Sequence, residues 1–199
     1  MIAALTGIGL AISAGLNAFI PLISFGVIAR YTTLVTLPPG WQWLSEGWFL
    51  LILSVLVVAD FLADKIPLVD HLLDVVHTVI RPTSGGIVFS AGFGSRTLTP
   101  AETSAATPGK AFGIFLIGLL LALAVHVAKA MLRAAINLTT SGIGAPIAST
   151  LEDLASTSLA LSAAIAPIAV IAVLLAFAFG LRWLWRRRYI RARGSAPNR

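Results

Sequence analysis

Residues 111–137 read AFGIFLIGLLLALAVHVAKAMLRAAIN. The first two-thirds is apolar without interruption, and at helical rise it is long enough to reach across most of a hydrocarbon layer of about 30 Å. The last third keeps the helical character but places His126, Lys129, Arg133 and Asn137 at spacings of three, seven and eleven residues, on one face. Charge beside hydrocarbon is costly unless it is paired, hydrated or at an interface, so this stretch is read as a membrane span ending in a functional or structural polar stripe.

Working outward, the same pattern recurs. Of the 199 residues, 58% are hydrophobic and 11% charged, against roughly 25% charged in an ordinary soluble domain. The apolar residues come in blocks of helical length and lack the dyad alternation of a transmembrane barrel. The expected fold is all-α: a polytopic helical membrane bundle of about five membrane segments, at least one of them discontinuous or re-entrant. Residues 1–185 form a single integral membrane domain and 186–199 a basic tail. Seven arginines lie between Arg182 and Arg199 with no acid, which places the tail on the cytoplasmic side. Nucleic-acid binding is the disfavoured alternative for that tail.

The segments are residues 2–29, 49–63, 68–95, 111–127 and 154–184. The N-terminus lacks a basic leader region and is read as a retained first span. Pro38, Pro39 and Gly40 break the chain after it, with Trp41, Trp43 and Trp48 suited to an interface. In the third segment Pro82 is expected to separate an amphipathic half from a glycine-rich half, giving the discontinuous or re-entrant element. There are no cysteines, which excludes disulfides and thiolate chemistry.

A second stripe, Asp70, Asp74, His77 and Arg81, falls at four, seven and eleven residues and also occupies one helix face. With Asp60 and Asp64 at the end of the second span and Glu152 and Asp153 at the start of the last, acids are available to pair with Lys129 and Arg133. Asn17 is a mid-span amide in a seam of small residues and needs partners. These twelve residues (Asn17, Asp60, Asp64, Asp70, Asp74, His77, Arg81, His126, Lys129, Arg133, Glu152 and Asp153) form a candidate polar path for a small ion or solute. The alternative is a charge network that clamps helices and touches lipid headgroups. A membrane enzyme using an Asp/His pair ranks third, since no nucleophile elbow, zincin helix or phosphate loop is present. No metal signature and no cofactor motif is found. Membrane lipids are the expected partners, with a homo-oligomer compatible and nucleic acid not expected.

The stretches SAGLNAFIPL (13–22), DFLADKIPLVDHLLDVVHTVIRPTSG (60–85), HVAKAMLR (126–133) and STLEDL (149–154) together resemble a family of small bacterial integral membrane proteins known as domain of unknown function 4126. The likeness runs to about residue 180. It implies a multi-pass protein of the bacterial inner membrane and carries no activity, substrate or site residue.

Overall fold

A computed structural model describes residues 2–63, 67–97, 108–140, 144–176, 178–179 and 182. The fold is all-α. Helix α1 covers Ile2–Leu16, α2 Ile20–Tyr31, α3 Gly47–Ala63, α4 Pro67–Gly94, α5 Pro108–Thr140 and α6 Ala145–Ile165, with a further helical run over 169–176. The strands β1 (Val35–Thr36) and β2 (Arg96–Thr97) pair antiparallel, Val35 opposite Thr97.

The first apolar segment is not one span. It breaks at residues 17–19 and folds back, so α1 and α2 run antiparallel as a hairpin. Three observations fix this. Thr6 and Leu10 of α1 sit beside Gly92 near the end of α4. The end of α2 lies at the same level, because Arg30 donates to the Ser45 carbonyl and β1 pairs with β2 directly after α4. The tip lies at the other end, where Ser84 of α4 donates to the Ala18 carbonyl. The local cause is legible: the Asn17 carboxamide oxygen accepts from the backbone N–H groups of Phe19 and Ile20, at 3.0 and 3.2 Å. Pro21 then occupies a first-turn position of α2, where a missing N–H costs nothing.

The expected break at Pro82 does not occur, and α4 continues through it as one helix of 28 residues. An interior proline forfeits a backbone hydrogen bond at a cost of about 3 kcal/mol. Here Arg81, Ser84 and Gly85 flank it, all buried against α1 or α5, and those contacts hold both halves in register. The second break lies in the last segment, at 166–168. Ala163 and Val170 both lie within 2.8 Å of where a Cβ on Gly9 would be, so the chain bends around that glycine.

Helix α4 packs antiparallel against both α1 and α5, and α1 and α5 also touch, a Cβ on Gly15 meeting the Ala122 carbonyl oxygen at 2.6 Å. Gly118 and Gly85 make the α4–α5 approach possible: a Cβ on Gly118 would meet the Gly85 carbonyl oxygen at 2.6 Å. The apolar core gathers Leu10, Ala14, Phe25, Leu53, Val88, Leu159 and Val170.

Around that apolar core, the outer faces and the enclosed polar residues invert the burial of a water-soluble domain. Leu51 of α3, Val79 of α4, Met131 of α5 and Leu154 of α6 are 60–70% exposed, whereas Asn17, Asp60, His77, Arg81, His126, Lys129 and Arg133 are at most 6% exposed. Among the described residues, Gly109–Ile136 is long and apolar enough to cross a membrane, and Ile2–Leu16, Ile20–Tyr31 and Gly47–Ala63 are shorter apolar helices.

Candidate functional site

The polar residues meet in one layer at the hairpin tip. Helix geometry brings them there. Asp60 lies thirteen residues into α3, about 20 Å from its start, and Asn17 follows the fifteen residues of α1, about 22 Å from its start. His77 and Arg81 come from the middle of α4, His126, Lys129 and Arg133 from one face of α5, and Glu152 and Asp153 from the second turn of α6.

Asn17 sits at the centre. Its amide nitrogen donates to Asp60 Oδ2 at 2.9 Å and to Asp153 Oδ1 at 3.0 Å, while its oxygen caps α2. One side chain thereby joins α1, α2, α3 and α6. On one side a chain of contacts leads away: Asp60 Oδ1 to His77 Nε2 at 3.1 Å, His77 Nδ1 to Arg81 Nη2 at 2.9 Å, and Arg81 Nη1 to His126 Nδ1 at 3.2 Å. His126 Nε2 then reaches Thr78 Oγ1 at 3.3 Å. A guanidinium can only donate, so both histidines accept through Nδ1 and carry their proton on Nε2. His77 Nε2–H lies 3.1 Å from Asp60 Oδ1, close enough for its dipole to favour the carboxylate, but Oδ1 receives no aligned hydrogen bond. Bond strength falls with angle whereas Coulomb attraction acts by distance, so Asn17–Asp60 is the firmer link. Phe19 packs its ring edge-on to His77 at 6.2 Å.

On the other side the contacts converge on Glu152. Lys129 Nζ lies 2.9 Å from Glu152 Oε2, and Arg133 Nη2 and Nε donate to the same oxygen at 2.8 and 3.1 Å. Lys129 also donates to the Leu16 carbonyl at 2.7 Å. That carbonyl ends α1, and its usual helical partner, the Ile20 N–H, is taken by Asn17. One turn up α1, Ser13 and Ser156 exchange hydrogen bonds, each hydroxyl donating to the other's carbonyl at 2.8 and 3.0 Å.

A family match now bears on these residues. The family described as Domain of unknown function (DUF4126) matches residues 4–187. The chain belongs to the DUF4126 family. Comparison with curated proteins gives no match, and neither does comparison with solved structures. The match takes in every residue of the polar layer of this DUF4126 chain.

Of the twelve residues expected in a path or network, nine meet in this layer: Asn17, Asp60, His77, Arg81, His126, Lys129, Arg133, Glu152 and Asp153. Asp64 lies outside the described residues, as do the side chains of Asp70 and Asp74 and the tail 186–199. Arg133 is held by Glu152, which answers part of the expected pairing between acids and α5 cations. Sequence reasoning missed Thr78, Ser84 and the Leu16 carbonyl. The signal for the last was Asn17 followed by Pro21, a helix-start pattern inside an apolar run.

Proposed function

We propose that this protein is an integral membrane protein whose buried polar layer carries a proton or small ion. In this reading α3, α4, α5 and α6 cross the bilayer and α1–α2 is a re-entrant hairpin. The observation that carries it is the inverted burial: leucines, valines and phenylalanines face outward while seven polar or ionisable side chains are enclosed. Asn17 and Asp60, about 20 Å along their helices, fall inside a hydrocarbon layer of about 30 Å. Broken helices whose ends meet ionisable groups at that depth are the usual way in which transport proteins build ion sites. A row of carboxylate, imidazole, guanidinium and imidazole, in contact at 2.9–3.2 Å, places two groups that can take up and release a proton beside a buried acid.

The end bearing Arg30, Arg96, Lys110 and the tryptophans at 41–48 would face the cytoplasm, together with the arginine tail, in a bacterial inner membrane. A reporter fused after Arg199 should be active only inside; activity on the external side alone would reverse the orientation.

A second reading rests on a different observation. Among the described residues the layer holds three cations (Arg81, Lys129, Arg133) and three carboxylates (Asp60, Glu152, Asp153), and Glu152 alone is bound by two of the cations. Such balance suits a clamp that holds helices together. Purified protein in liposomes loaded with pH- and ion-sensitive dyes separates the two. In the ion-path reading Asp60→Asn abolishes flux and keeps the fold. In the clamp reading wild type shows no flux above empty liposomes, and Asp60→Asn only lowers the melting temperature.

A further inference from the structure

The ammonium of Lys129 occupies a place that the backbone has prepared for a cation. The break after Leu16 exposes the carbonyl end of α1, where helix carbonyls carry partial negative charge. The capping of α2 by Asn17 removes the N–H that would have satisfied Leu16. Glu152 supplies a carboxylate oxygen from the opposite side, so Lys129 Nζ sits between two oxygens at 2.7 and 2.9 Å, in a side chain 3% exposed. The other charges acting on it are Arg81 on α4 and Arg133 on its own helix α5. With three cations and three carboxylates among the described residues, loss of the Lys129 charge leaves one negative charge in excess. Only one further positive charge restores the balance.

We propose that the Leu16 carbonyl and the Glu152 carboxylate form a site for one monovalent cation, filled in this chain by its own Lys129 ammonium. The site takes a free alkali or small ammonium ion when the lysine side chain is absent. The lysine is a tethered ion that locks the hairpin tip to α5 and α6. This goes beyond the ion-path reading, since the site lies on the other side of the layer, and binding can be read without flux.

The test compares full-length wild type, Lys129→Ala and Lys129→Ala/Glu152→Gln in sodium, potassium, methylammonium and choline chloride at equal ionic strength. Folded fraction is read in membranes by protease protection, and melting temperature after extraction. Wild type should melt at the same temperature in all four salts. Lys129→Ala should be poorly folded in choline and regain folded fraction and melting temperature, saturably, in at least one of the three small cations. The double variant should fold better than the single one in choline and ignore the cation. Two results overturn the proposal: a single variant indifferent to the cation, whether folded or unfolded throughout, or recovery in choline equal to that in the small cations. Cation-dependent folding of Lys129→Ala in a protein that moves no ions would refute the path and keep the site.

Discussion

The two sides of the polar layer solve the same electrostatic problem differently. From Asn17 toward α4 and α5 the contacts are serial, each group touching the next, and the His77 imidazole separates the carboxylate from the guanidinium. From Leu16 toward α6 the contacts are convergent, with two cations on one carboxylate. A serial arrangement tolerates the loss of one charge because its neighbours are neutral or have alternative partners. A convergent one tolerates it less, since removing the hub takes the shared carboxylate from both cations at once. The serial side is therefore the place to look for ion movement and the convergent side the place to look for stability.

The sharpest way to break this contrast is Glu152→Ala. It leaves Lys129 and Arg133 buried without their carboxylate, and unpaired buried charge costs about 3–5 kcal/mol. Folded yield in detergent should collapse, whereas Asp60→Asn, which keeps shape and one acceptor, should leave yield near wild type. Equal losses would mean that the two sides do not differ. Next in size is Gly118→Val, which drives a side chain into the Gly85 carbonyl and should destabilise by about 1–3 kcal/mol through forced separation of α4 and α5. Thermal melting should show that loss with the polar layer untouched; an unchanged midpoint would mean that the helices approach less closely than described.

A smaller effect is expected one turn away from the layer. Ser13→Ala and Ser156→Ala should each cost about 1 kcal/mol, and the double variant less than the sum, because the two hydroxyl oxygens also touch at 2.8 Å and each loses that partner when the other is removed. Full additivity in denaturation would show that they act separately. The smallest effect belongs to Arg30→Ala. Its guanidinium is bonded to the Ser45 carbonyl at an exposed position, and surface changes of this kind stay within about 0.5 kcal/mol.

How much of this was legible in the sequence differs between elements. The stripe on α5 was readable because its period is helical and its neighbours are apolar: His126, Lys129 and Arg133 do share a buried face. His77 and Arg81 were readable for the same reason. The hairpin was not, because an apolar run of the length of residues 2–29 matches a single crossing in composition, and only Asn17 with Pro21 marked the turn. Pro82 misled in the opposite direction. Local propensity argued for a break there, and packing of Arg81, Ser84 and Gly85 on both sides overrode it. Pairings such as Asn17 with Asp153 depend on which helices become neighbours, which periodicity within one helix does not encode.

That separation along the chain has a consequence in time. Asn17 finds Asp60 43 residues later but waits 136 residues for Asp153. At about 5–20 residues per second, that is roughly 7–27 s of synthesis. Over the later part of that interval, once Asp60 is made, the hairpin tip has one of its two carboxylates, and Lys129 emerges before Glu152 does. The end of the first helix to be made is thus among the last parts to be fastened, and the nascent chain must keep an amide, a carboxylate and an ammonium in waiting until α6 arrives to close over them.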